Sequence, residues 1–512
     1  MTECGAFGIP FGEDRASSAL ISATPAQADG LRPSPGDLSL HADIPSSHNA
    51  DSTSATGPWY KELNRYHWFV LIIAALGWLF DTMDQQLFNL ARVPAMKELL
   101  PHEPGQPPSK DLMNFYGPLA TSIFMIGWAT GGLIFGVLGD RIGRAKVMLW
   151  TILIYSICTG LSAFSIGFWD FAFYRFLTGL GVGGEFAVGV SLVAEVMPNR
   201  ARPFALGLLQ ALSAVGNISA ALMNIALGQV ESAGGLENLA VADTPIKAWR
   251  ILFIIGTVPA LLAIFIRRNL KEPDTWKAQA DAGLGKQLGS YTELFSNPVY
   301  RKNALVGLIL ASSGIIGLWG IGFFSFDLLQ PVFRKHFESQ GLAENVINGK
   351  VATWVGITSV MQNIGGFLGI YAYSHLTSIF GRKPAFAVSF VAAMFSTALV
   401  FWELDKFSEV FWMIPIMGFC QLALFGGYAI YFPELFPTRL RSTGTSFCYN
   451  VGRYIAAAGP FALGLLTTNV FSVANGYQEG MRYAGVAMCS VFLLGLAVLP
   501  FAPETKGKPL PE

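Results

Sequence analysis

Two acidic residues and one basic residue lie within stretches of the chain that are otherwise apolar. Asp81 and Asp84 stand in the stretch 66–91, and Arg175 stands in the stretch 170–193. An ionisable side chain inside a membrane-spanning segment is costly and commonly marks a path for protons or ions. An arginine beside an aspartate favours the ionised acid, whereas desolvation favours the neutral acid. These three residues are therefore predicted to couple proton movement to another event; the alternative is a permanent buried salt bridge that only fixes helix packing.

The two aspartates belong to a polar stripe. At 100° per residue, a helix places six side chains of the first stretch on one face: Asp81, Asp84, Gln85, Phe88, Asn89 and Arg92. Similarly, one face of the stretch 170–193 carries Arg175, Thr178, Val182 and Glu185. Because polar faces are costly in contact with lipid, both are predicted to line a polar cavity or to pack against polar partners.

The elements that position these residues are predicted to be membrane-spanning helices. Of the 512 residues, 52% are hydrophobic and 13% are charged, whereas soluble domains carry about 25% charged residues. The apolar residues fall in runs of about 20, the length that crosses a ~30 Å hydrocarbon core as a helix. The 34 basic and 34 acidic residues balance, so no nucleic-acid partner is predicted. The five cysteines lack metal-binding spacing and are predicted to be buried small side chains.

Twelve such runs predict the fold class, an all-α integral membrane protein with twelve transmembrane helices in two six-helix halves. The runs lie near 66–91, 115–138, 147–166, 170–193, 203–228, 249–267, 303–329, 351–375, 384–402, 408–431, 445–468 and 482–501. Loops on one side are enriched in lysine and arginine, which places both termini in the cytoplasm. The predicted organisation is a disordered tail over 1–58, an N-terminal half over 59–267, a cytoplasmic linker over 268–302, a C-terminal half over 303–503 and a tail over 504–512.

A charged loop motif occurs twice in the chain. The stretches 195–202 and 434–441 both read E-x-x-P-x-x-x-R, and a Gly-Arg pair recurs at 143–144 and 381–382 with nearly the same offset. Such repetition indicates a duplicated half. Arg144 is predicted to pair with Glu195 and Arg382 with Glu434, and Asp140 to cap or pair with a neighbouring helix end. The full set, predicted to form a conformational latch, is Asp140, Arg141, Arg144, Glu195, Arg202, Arg382, Glu434 and Arg441. The alternative is a set of solvated interfacial charges that follow the positive-inside rule.

These motifs resemble those of the major facilitator superfamily. The stretch 136–144 reads G-x-x-x-D-R-x-G-R, which is the signature of that superfamily after the second span, and 374–383 is a degraded copy without the acid and the first arginine. The stretch 271–276 is similar to the sugar-porter motif P-E-S-P-x-W, 503–507 to its motif P-E-T-K-G, and 434–441 to its segment after the tenth span. The resemblance covers residues 60–505 and is moderately specific for the branch of sugar porters and organic-acid/proton symporters.

The resemblance implies a secondary transporter that works by alternating access between two halves. Arg175-x-x-x-Gly179-x-Gly181-x-Gly183 resembles the fourth span of proton-coupled sugar porters, in which an arginine beside a first-span aspartate couples protons. Asp81-x-x-Asp84 with Pro94 resembles the motif D-G-[FY]-D of aromatic-acid and other carboxylate/proton symporters, although Thr82-Met83 replaces the middle residues. Asp81 and Asp84 both remain candidates for the proton-carrying acid.

The substrate is predicted from the polar residues of the spans. A carboxylate substrate needs a cation in the cavity; Arg453 is the first candidate and Arg92 the second, unless they pair with Asp327 or with the first-span acids. A sugar needs amides and aromatic rings, for which the candidates, together with Gln85 and Asn89, are Gln210, Trp319, Gln362, Gln421 and Tyr428. The seventh span lacks the glutamine pair and asparagine of hexose porters, which favours a small carboxylate.

The predicted function is proton-coupled symport of a small organic acid across the cell (plasma or inner) membrane. The alternatives are a sugar/proton symporter or facilitator and, more remotely, a solute sensor that does not transport. No P-loop, nucleophile–base pair or metal cluster is present in the sequence, so no ATPase, enzyme, cofactor or metal is predicted. The predicted partners are a small-molecule solute, protons and the lipid bilayer, and the chain is expected to function as a monomer.

Overall fold

The computed structural model describes most of the chain from residue 57 onward. The described residues are 57–101, 108–232, 240–241, 244–245, 247–282, 288–322, 325–342, 344–456, 463, 466–471 and 477–511. The predicted N-terminal tail therefore lies almost wholly outside the described residues.

The first part of the described chain forms seven helices, α1–α7. A 3₁₀ turn over Trp59–Glu62 precedes α1 (Arg65–Leu99), where the Asn64 side chain accepts a hydrogen bond from the backbone of His67 and so caps the helix. The others are α2 (Lys110–Ile142), α3 (Arg144–Ser162), α4 (Phe168–Val196), α5 (Arg202–Ser232), α6 (Ala248–Ile255) and α7 (Ala260–Asn269). Two strands of two residues each, β1 (Ala240–Val241) and β2 (Thr244–Pro245), pair antiparallel before α6.

Ten further helices complete the described chain. They are α8 (Asp274–Asp281), α9 (Tyr291–Ser296), α10 (Pro298–Ile315), α11 (Ser325–Glu338), α12 (Glu344–Phe380), α13 (Arg382–Glu403), α14 (Val410–Tyr431), α15 (Arg441–Ala456), α16 (Tyr477–Met488) and α17 (Val491–Val498). Shorter turns are 3₁₀ at Phe407–Glu409, Phe432–Leu435, Thr438–Leu440 and Leu499–Phe501, and π-helical at Ile316–Ile321 and Leu466–Phe471.

The helices match the predicted all-α membrane fold. Within the described residues, nine helical segments are long and apolar enough to cross a membrane. The α6–α7 pair, α12 and α15 occupy the places of three more predicted spans, so the arrangement is consistent with twelve. The predicted span 249–267 is interrupted by turns between α6 and α7, where Gly256 and Pro259 stand. Within the predicted span 303–329, α10 and a π-helical turn reach Ile321, and α11 begins at Ser325.

Close helix packing follows from glycines spaced four residues apart. A side chain at Gly127 or Gly131 of α2 would collide with the α4 backbone, and one at Gly179 or Gly183 of α4 would collide with the α2 backbone. Such small-residue stripes let two backbones approach within a membrane. In the second part of the chain, Gly365 and Gly369 of α12 meet the α14 backbone in the same way.

The two parts of the bundle, called here the first half (α1–α7) and the second half (α10–α17), meet along two seams. Helix α2 packs against α15, and α5 packs against α12. Asn217 of α5 donates to Asn363 of α12 at 2.9 Å, and Thr130 of α2 lies 2.8 Å from the Tyr454 hydroxyl of α15. A polar cavity lies between the two seams.

Candidate functional site

Asp84 forms the ion pair with Arg175. The Asp84 Oδ2 atom lies 3.6 Å from Arg175 Nη1, and both side chains are fully buried. Thr159 of α3 donates to Asp84 Oδ1 at 2.6 Å, and Ser162 of α3 accepts from Arg175 Nε and Nη2 at 3.0 and 2.8 Å. At 3.6 Å the ion pair is longer than a hydrogen bond. Asp84 and Arg175 thus bond to different hydroxyl groups of α3. Their ion pair can therefore break while Asp84 keeps its hydrogen bond from Thr159 and Arg175 keeps those to Ser162.

The arginine is further enclosed by aromatic rings. The Arg175 guanidinium carbon lies 4.6 Å from the Phe253 ring centroid, 5.7 Å from that of Phe88 and 6.0 Å from that of Phe171. Cation–π attraction of this kind stabilises a desolvated guanidinium. Arg175 therefore has favourable contacts besides the one with Asp84.

Asp81 has no such partner. Its side chain is 1% exposed, and no described residue donates a hydrogen bond to either of its carboxylate oxygens. The charges that act on it are those of Glu185, Asp84 and Arg453. Thus the two aspartates, which the sequence left as equal candidates, stand in different surroundings.

The polar stripe of α1 divides into two faces rather than forming the single predicted one. Gln85 and Asn89 line the central cavity, whereas Asp81 and Asp84 are buried outside that lining. The reason is that α1 is covered on more than one side: helices α3 and α4 supply polar partners on one side, and the cavity offers open space on another. Asp84 is therefore not part of the cavity lining, although Gln85 is its neighbour in the chain.

The cavity between the halves has a volume of about 70 Å³. Its lining combines amides and aromatic rings with a single arginine among the described residues. The lining residues are Trp78, Thr82, Gln85, Gln86, Asn89, Trp128, Gln210, Ser213, Asn217, Leu318, Trp319, Ser359, Gln362, Asn363, Leu422, Phe425, Tyr449 and Arg453. No described lining residue is acidic, so an anionic solute would meet no repelling charge on the cavity wall itself.

Arg453 is the positive charge of the cavity. It is 1% exposed, and its guanidinium carbon lies 3.7 Å from the Trp128 ring centroid and 4.7 Å from that of Tyr449. Within the described part of the chain, its Nε and Nη1 atoms have no hydrogen-bond partner. A buried guanidinium with N–H groups unused is able to donate charge-assisted hydrogen bonds to a carboxylate. Asp327, the alternative partner considered from the sequence, has a side chain outside the described set.

Six predicted binding residues line the cavity and three do not. Gln85, Asn89, Gln210, Trp319, Gln362 and Arg453 are in the lining. The others are engaged elsewhere: Arg92 donates to Thr121 at 2.7 Å, Gln421 donates to Thr397 at 2.6 Å, and the Tyr428 hydroxyl donates to the Leu310 carbonyl at 2.7 Å. Sequence reasoning missed Trp78, Trp128 and Asn217, because each stands in an apolar run with no motif around it.

The predicted latch residues gather at one end of the bundle, called here the latch face. Glu195 accepts hydrogen bonds from Arg144 at 3.0 Å and from Arg441 at 2.8 Å. Arg382 contacts both oxygens of Glu434, at 3.0 and 2.8 Å. The two predicted pairs, Arg144–Glu195 and Arg382–Glu434, are thus present. Their role as a latch remains a prediction.

The contacts of the latch residues differ between the two halves. Glu195 joins the two halves, because Arg441 belongs to α15 of the second half. Glu434 bonds within its own half, to Arg382 and to the Thr505 hydroxyl, the latter at 2.6 Å. Arg202, the counterpart of Arg441, donates instead to the carbonyls of residues 194 and 197 and to the Asn199 side chain. It therefore stabilises the loop between α4 and α5.

Asp140 binds the start of α15 in the opposite half. Its carboxylate accepts from the backbone N–H groups of Ser442 and Thr443 at 3.1 and 2.8 Å, and from the Thr443 hydroxyl at 2.6 Å. Arg144 also contacts Asp140 at 2.9 Å and donates to the Thr438 carbonyl at 2.6 Å. This is the helix-end contact predicted for Asp140, and it gives an acid at a helix N-terminus the favourable dipole interaction.

The same turn precedes α3 in the first half and α13 in the second half. Gly143 and Gly381 adopt φ values of 115° and 97°, which favour glycine. The Glu272 carboxylate accepts from the backbone N–H groups at the start of α3, at 3.1 Å each, and Glu504 does so at the start of α13, at 2.9 and 3.0 Å. Burial raises the pKa of Glu504, but hydrogen bonds from four backbone N–H groups outweigh it, so the pKa lies below its usual range.

The linker between the halves contacts both of them at the latch face. Arg141 of α2 donates to the Leu288 carbonyl at 3.1 Å, and the Gly289 N–H donates to the Arg439 carbonyl at 2.9 Å. Trp276 donates to the Asp140 carbonyl at 2.6 Å. The described part of the linker therefore packs against the latch residues.

Comparison with known proteins agrees with this architecture. The sequence profile of a family described as "Sugar (and other) transporter" matches residues 88–283. A Haemophilus influenzae protein named for metabolite transport is 29% identical over 458 residues, which cover 88% of this chain and 99% of that protein. The sialic acid transporter of Escherichia coli is 26% identical, covering 86% and 94%. The cis,cis-muconate transport protein of Acinetobacter baylyi is 27% identical, covering 76% and 85%.

Solved structures share the fold. The proton:xylose symporter of the major facilitator superfamily, bound to 6-bromo-6-deoxy-D-glucose, superposes with a TM-score of 0.66 at 17% identity, covering 87% of this chain and 98% of the other. A human organic anion transporter gives a TM-score of 0.58 at 15% identity, covering 85% of this chain and 100% of the other. These similarities identify the fold. The class of solute has to be inferred from the residues of the site.

Proposed function

Since the chain is a transporter of the major facilitator superfamily, we propose that it carries a small organic acid together with protons by alternating access. The observation that carries this proposal is Arg453. It is a buried guanidinium with unused N–H groups on the wall of a cavity whose described lining contains no acid. A buried charge without a partner is costly, and a bound carboxylate would remove that cost. The amides around the cavity would bind other polar atoms of the solute, and Trp78, Trp128 and Trp319 would contact its apolar part.

Proton coupling is assigned to Asp84 and Arg175. Their 3.6 Å contact is fully buried, and each side chain has a hydroxyl partner on α3. When α4 moves relative to α1, the separation of the two charges changes, and an aspartate without its arginine takes up a proton. Helix α1 also lines the cavity through Gln85 and Asn89. A movement of α1 on solute binding would therefore change the distance between Asp84 and Arg175.

The latch residues are assigned to the control of access. Glu195–Arg441 and Asp140–Thr443 join the halves at the latch face, and their rupture would let that face open. The predicted domain limits, 59–267 and 303–503, define the two bodies that would move. With the latch face in the cytoplasm, as the positive-inside rule suggests, this arrangement corresponds to a carrier closed toward the cytoplasm. We also propose that the chain acts as a monomer in the cell membrane with both termini cytoplasmic.

A second candidate is a sugar/proton symporter. The amides of Gln85, Gln210 and Gln362 line the cavity, and amides with aromatic rings are suited to hydroxyl-rich solutes. This reading leaves the Arg453 guanidinium without a counter-charge on the solute, which is why it ranks second. A sensor that binds solute without moving it is a third outcome of the experiment below.

The experiment is an uptake screen in proteoliposomes with an imposed pH gradient. The probes are benzoate, nicotinate, cis,cis-muconate, N-acetylneuraminate and xylose. We expect a carboxylate to be accumulated only when the gradient is present, and the accumulation to vanish with a protonophore. Accumulation of xylose alone would favour the second candidate, and binding without uptake would favour the sensor. Carboxylate uptake that ignores the pH gradient would overturn the proton coupling while leaving the substrate class intact.

A further inference from the structure

Glu185 is a buried acid to which the proposed cycle gives no role. It lies on α4 at 1% exposure, ten residues after Arg175, and no described residue donates a hydrogen bond to either of its oxygens. Its Oε1 atom fills the space where a side chain at Gly77 of α1 would stand, and lies 3.4 Å from the Cβ position of Gly189. Since Gly77 is one helical turn before Asp81, Glu185 lies beside the turn of α1 that carries Asp81.

Asp81 and Glu185 therefore form a pair of buried acids across the α1–α4 contact. Glu185 is among the charges that act on Asp81, and none of the four oxygens of the two acids has a donor from the described residues. Two ionised carboxylates without donors, side by side and out of water, are among the most costly arrangements in a protein. Something must compensate them for the fold to be stable.

Buried donors around the pair are unused as well. The Tyr155 hydroxyl of α3 and the Trp78 indole N–H of α1 have no hydrogen-bond partner within the described residues. Tyr155 is fully buried, and Asp81 and Glu185 are the two charges that act on it most strongly. The surroundings of the two acids therefore include buried polar groups and are not purely apolar. This second observation points to a small ligand that supplies a hydrogen bond, and the smallest one is a proton.

We propose that Asp81 and Glu185 form a second proton-binding site, which holds one proton between two carboxylates. The proton bonds to one oxygen of either acid, and the resulting O–H donates to the other acid. The charge of the pair changes from −2 to −1, the proton comes from water, and no other bond forms or breaks. The idea rests on the proposed proton-coupled function, because a second site matters to a carrier that exchanges protons during its cycle.

The charged and titratable groups around the pair are few. Asp84 lies on α1, Tyr155 on α3 and Arg453 on α15, and Arg175 of α4 is held by Asp84. Arg453 is the one cation of this set that also lines the cavity. An anion bound to Arg453 weakens the compensation that this arginine gives to Asp81, so anion binding and protonation of the pair are linked in the same direction.

The test is infrared difference spectroscopy of the full-length protein in nanodiscs without any solute, between neutral and alkaline pH. We expect the wild type to show the C=O stretching band of a protonated carboxyl group at neutral pH, with the shift in ²H₂O that marks an exchangeable proton. Asp81→Asn and Glu185→Gln should each lose that band, because an amide beside the remaining acid supplies a donor in place of the proton. Asp84→Asn should keep it.

The controls separate a proton site from a merely structural one. The conservative variants Asp81→Glu and Glu185→Asp should keep a protonated band at a changed frequency, and Glu338→Gln, at an exposed site on α11, should leave the spectrum unchanged. A wild type without the band, or a band that survives in both Asp81→Asn and Glu185→Gln, would overturn the proposal. Because no solute is involved, this result is independent of whether the uptake screen supports proton-coupled transport.

Discussion

Glu195→Gln is expected to shift the molecule away from the state in which the latch face is closed. Glu195 is one of the two latch acids that join the halves, since it accepts from Arg441 of α15 at 2.8 Å as well as from Arg144 of its own half at 3.0 Å. Opening of the latch face separates Glu195 from Arg441 but not from Arg144. Only the contact with Arg441 therefore contributes to the difference between closed and open states.

The size of the shift follows from that one contact. A hydrogen bond to a charged group contributes about 1.5–3 kcal/mol. A loss of ~2 kcal/mol changes the ratio of closed to open molecules about 30-fold. The Asp140 contacts with Ser442 and Thr443 remain in this variant, so we expect the closed state to be weakened rather than abolished.

The assay is a pulsed electron-electron distance measurement between spin labels at Lys146→Cys and Ile379→Cys, in a background without native cysteines. Lys146 and Ile379 are exposed and lie beside the latch face in different halves. The distance distribution of the Glu195→Gln variant should gain a long-distance population that the parent protein lacks.

The matched control is Glu434→Gln, because Glu434 bonds Arg382 within one half. It should reduce thermal stability while moving the distance distribution far less. Glu62→Gln, at the partly exposed Arg200 pair, should move neither quantity. The reasoning is refuted if Glu434→Gln opens the latch face as much as Glu195→Gln does, or if neither variant changes the distribution.

Four further predictions concern protons, solute and the C-terminal segment. Asp84→Asn should abolish uphill accumulation while leaving solute exchange, as measured by counterflow; normal accumulation would exclude Asp84 as the coupling acid. Arg453→Ala should weaken carboxylate binding about 10- to 150-fold, from the ~1.5–3 kcal/mol of a charge-assisted hydrogen bond, with little effect on a neutral sugar; equal losses would argue against an anion. The pKa of Glu504 is lowered in the folded protein, so its ionised carboxylate stabilises the fold above the ordinary pKa of glutamate, and this stabilisation is lost as the pH falls through the pKa of the folded state. Protection of the amides at the start of α13 from hydrogen exchange should therefore decrease below the pKa of the folded state. Glu504→Gln should remove this pH dependence. If Asp81 and Glu185 move their proton during transport, Glu185→Gln should lower the limiting accumulation about tenfold per unit of pH gradient, as measured by the reversal of flux; an unchanged limit would mean that the proton stays bound.

The sequence allowed the fold and the local pairs to be predicted because both are encoded at short range. Runs of apolar residues define the spans, and the repeated motifs fix Arg144 near Glu195 and Arg382 near Glu434 through turns that Gly143 and Gly381 permit. Motif symmetry could not reveal that Glu195 also binds Arg441. That contact depends on how the halves meet, which no local spacing records.

The choice between Asp81 and Asp84 also lay beyond the sequence. The two residues are three positions apart on one helix, and both are buried. What distinguishes them is on other helices: Thr159 of α3 donates to Asp84, whereas Glu185 of α4 lies beside Asp81. Helical periodicity placed Glu185 on the same face as Arg175, but periodicity alone cannot say that the residue it meets is another acid.

The unequal contacts of the two seams imply an order of events during opening. At the α2–α15 seam, Asp140 holds the first backbone N–H groups of α15. At the corresponding place on α12, Ser378 stands instead of an acid, and its hydroxyl bonds the carbonyl of residue 374 in its own helix. The α5–α12 seam therefore lacks this anchor, and it is expected to separate before the Asp140 contacts of the α2–α15 seam break. A carrier built from two similar halves would then open on one side first, with the solute leaving along α5.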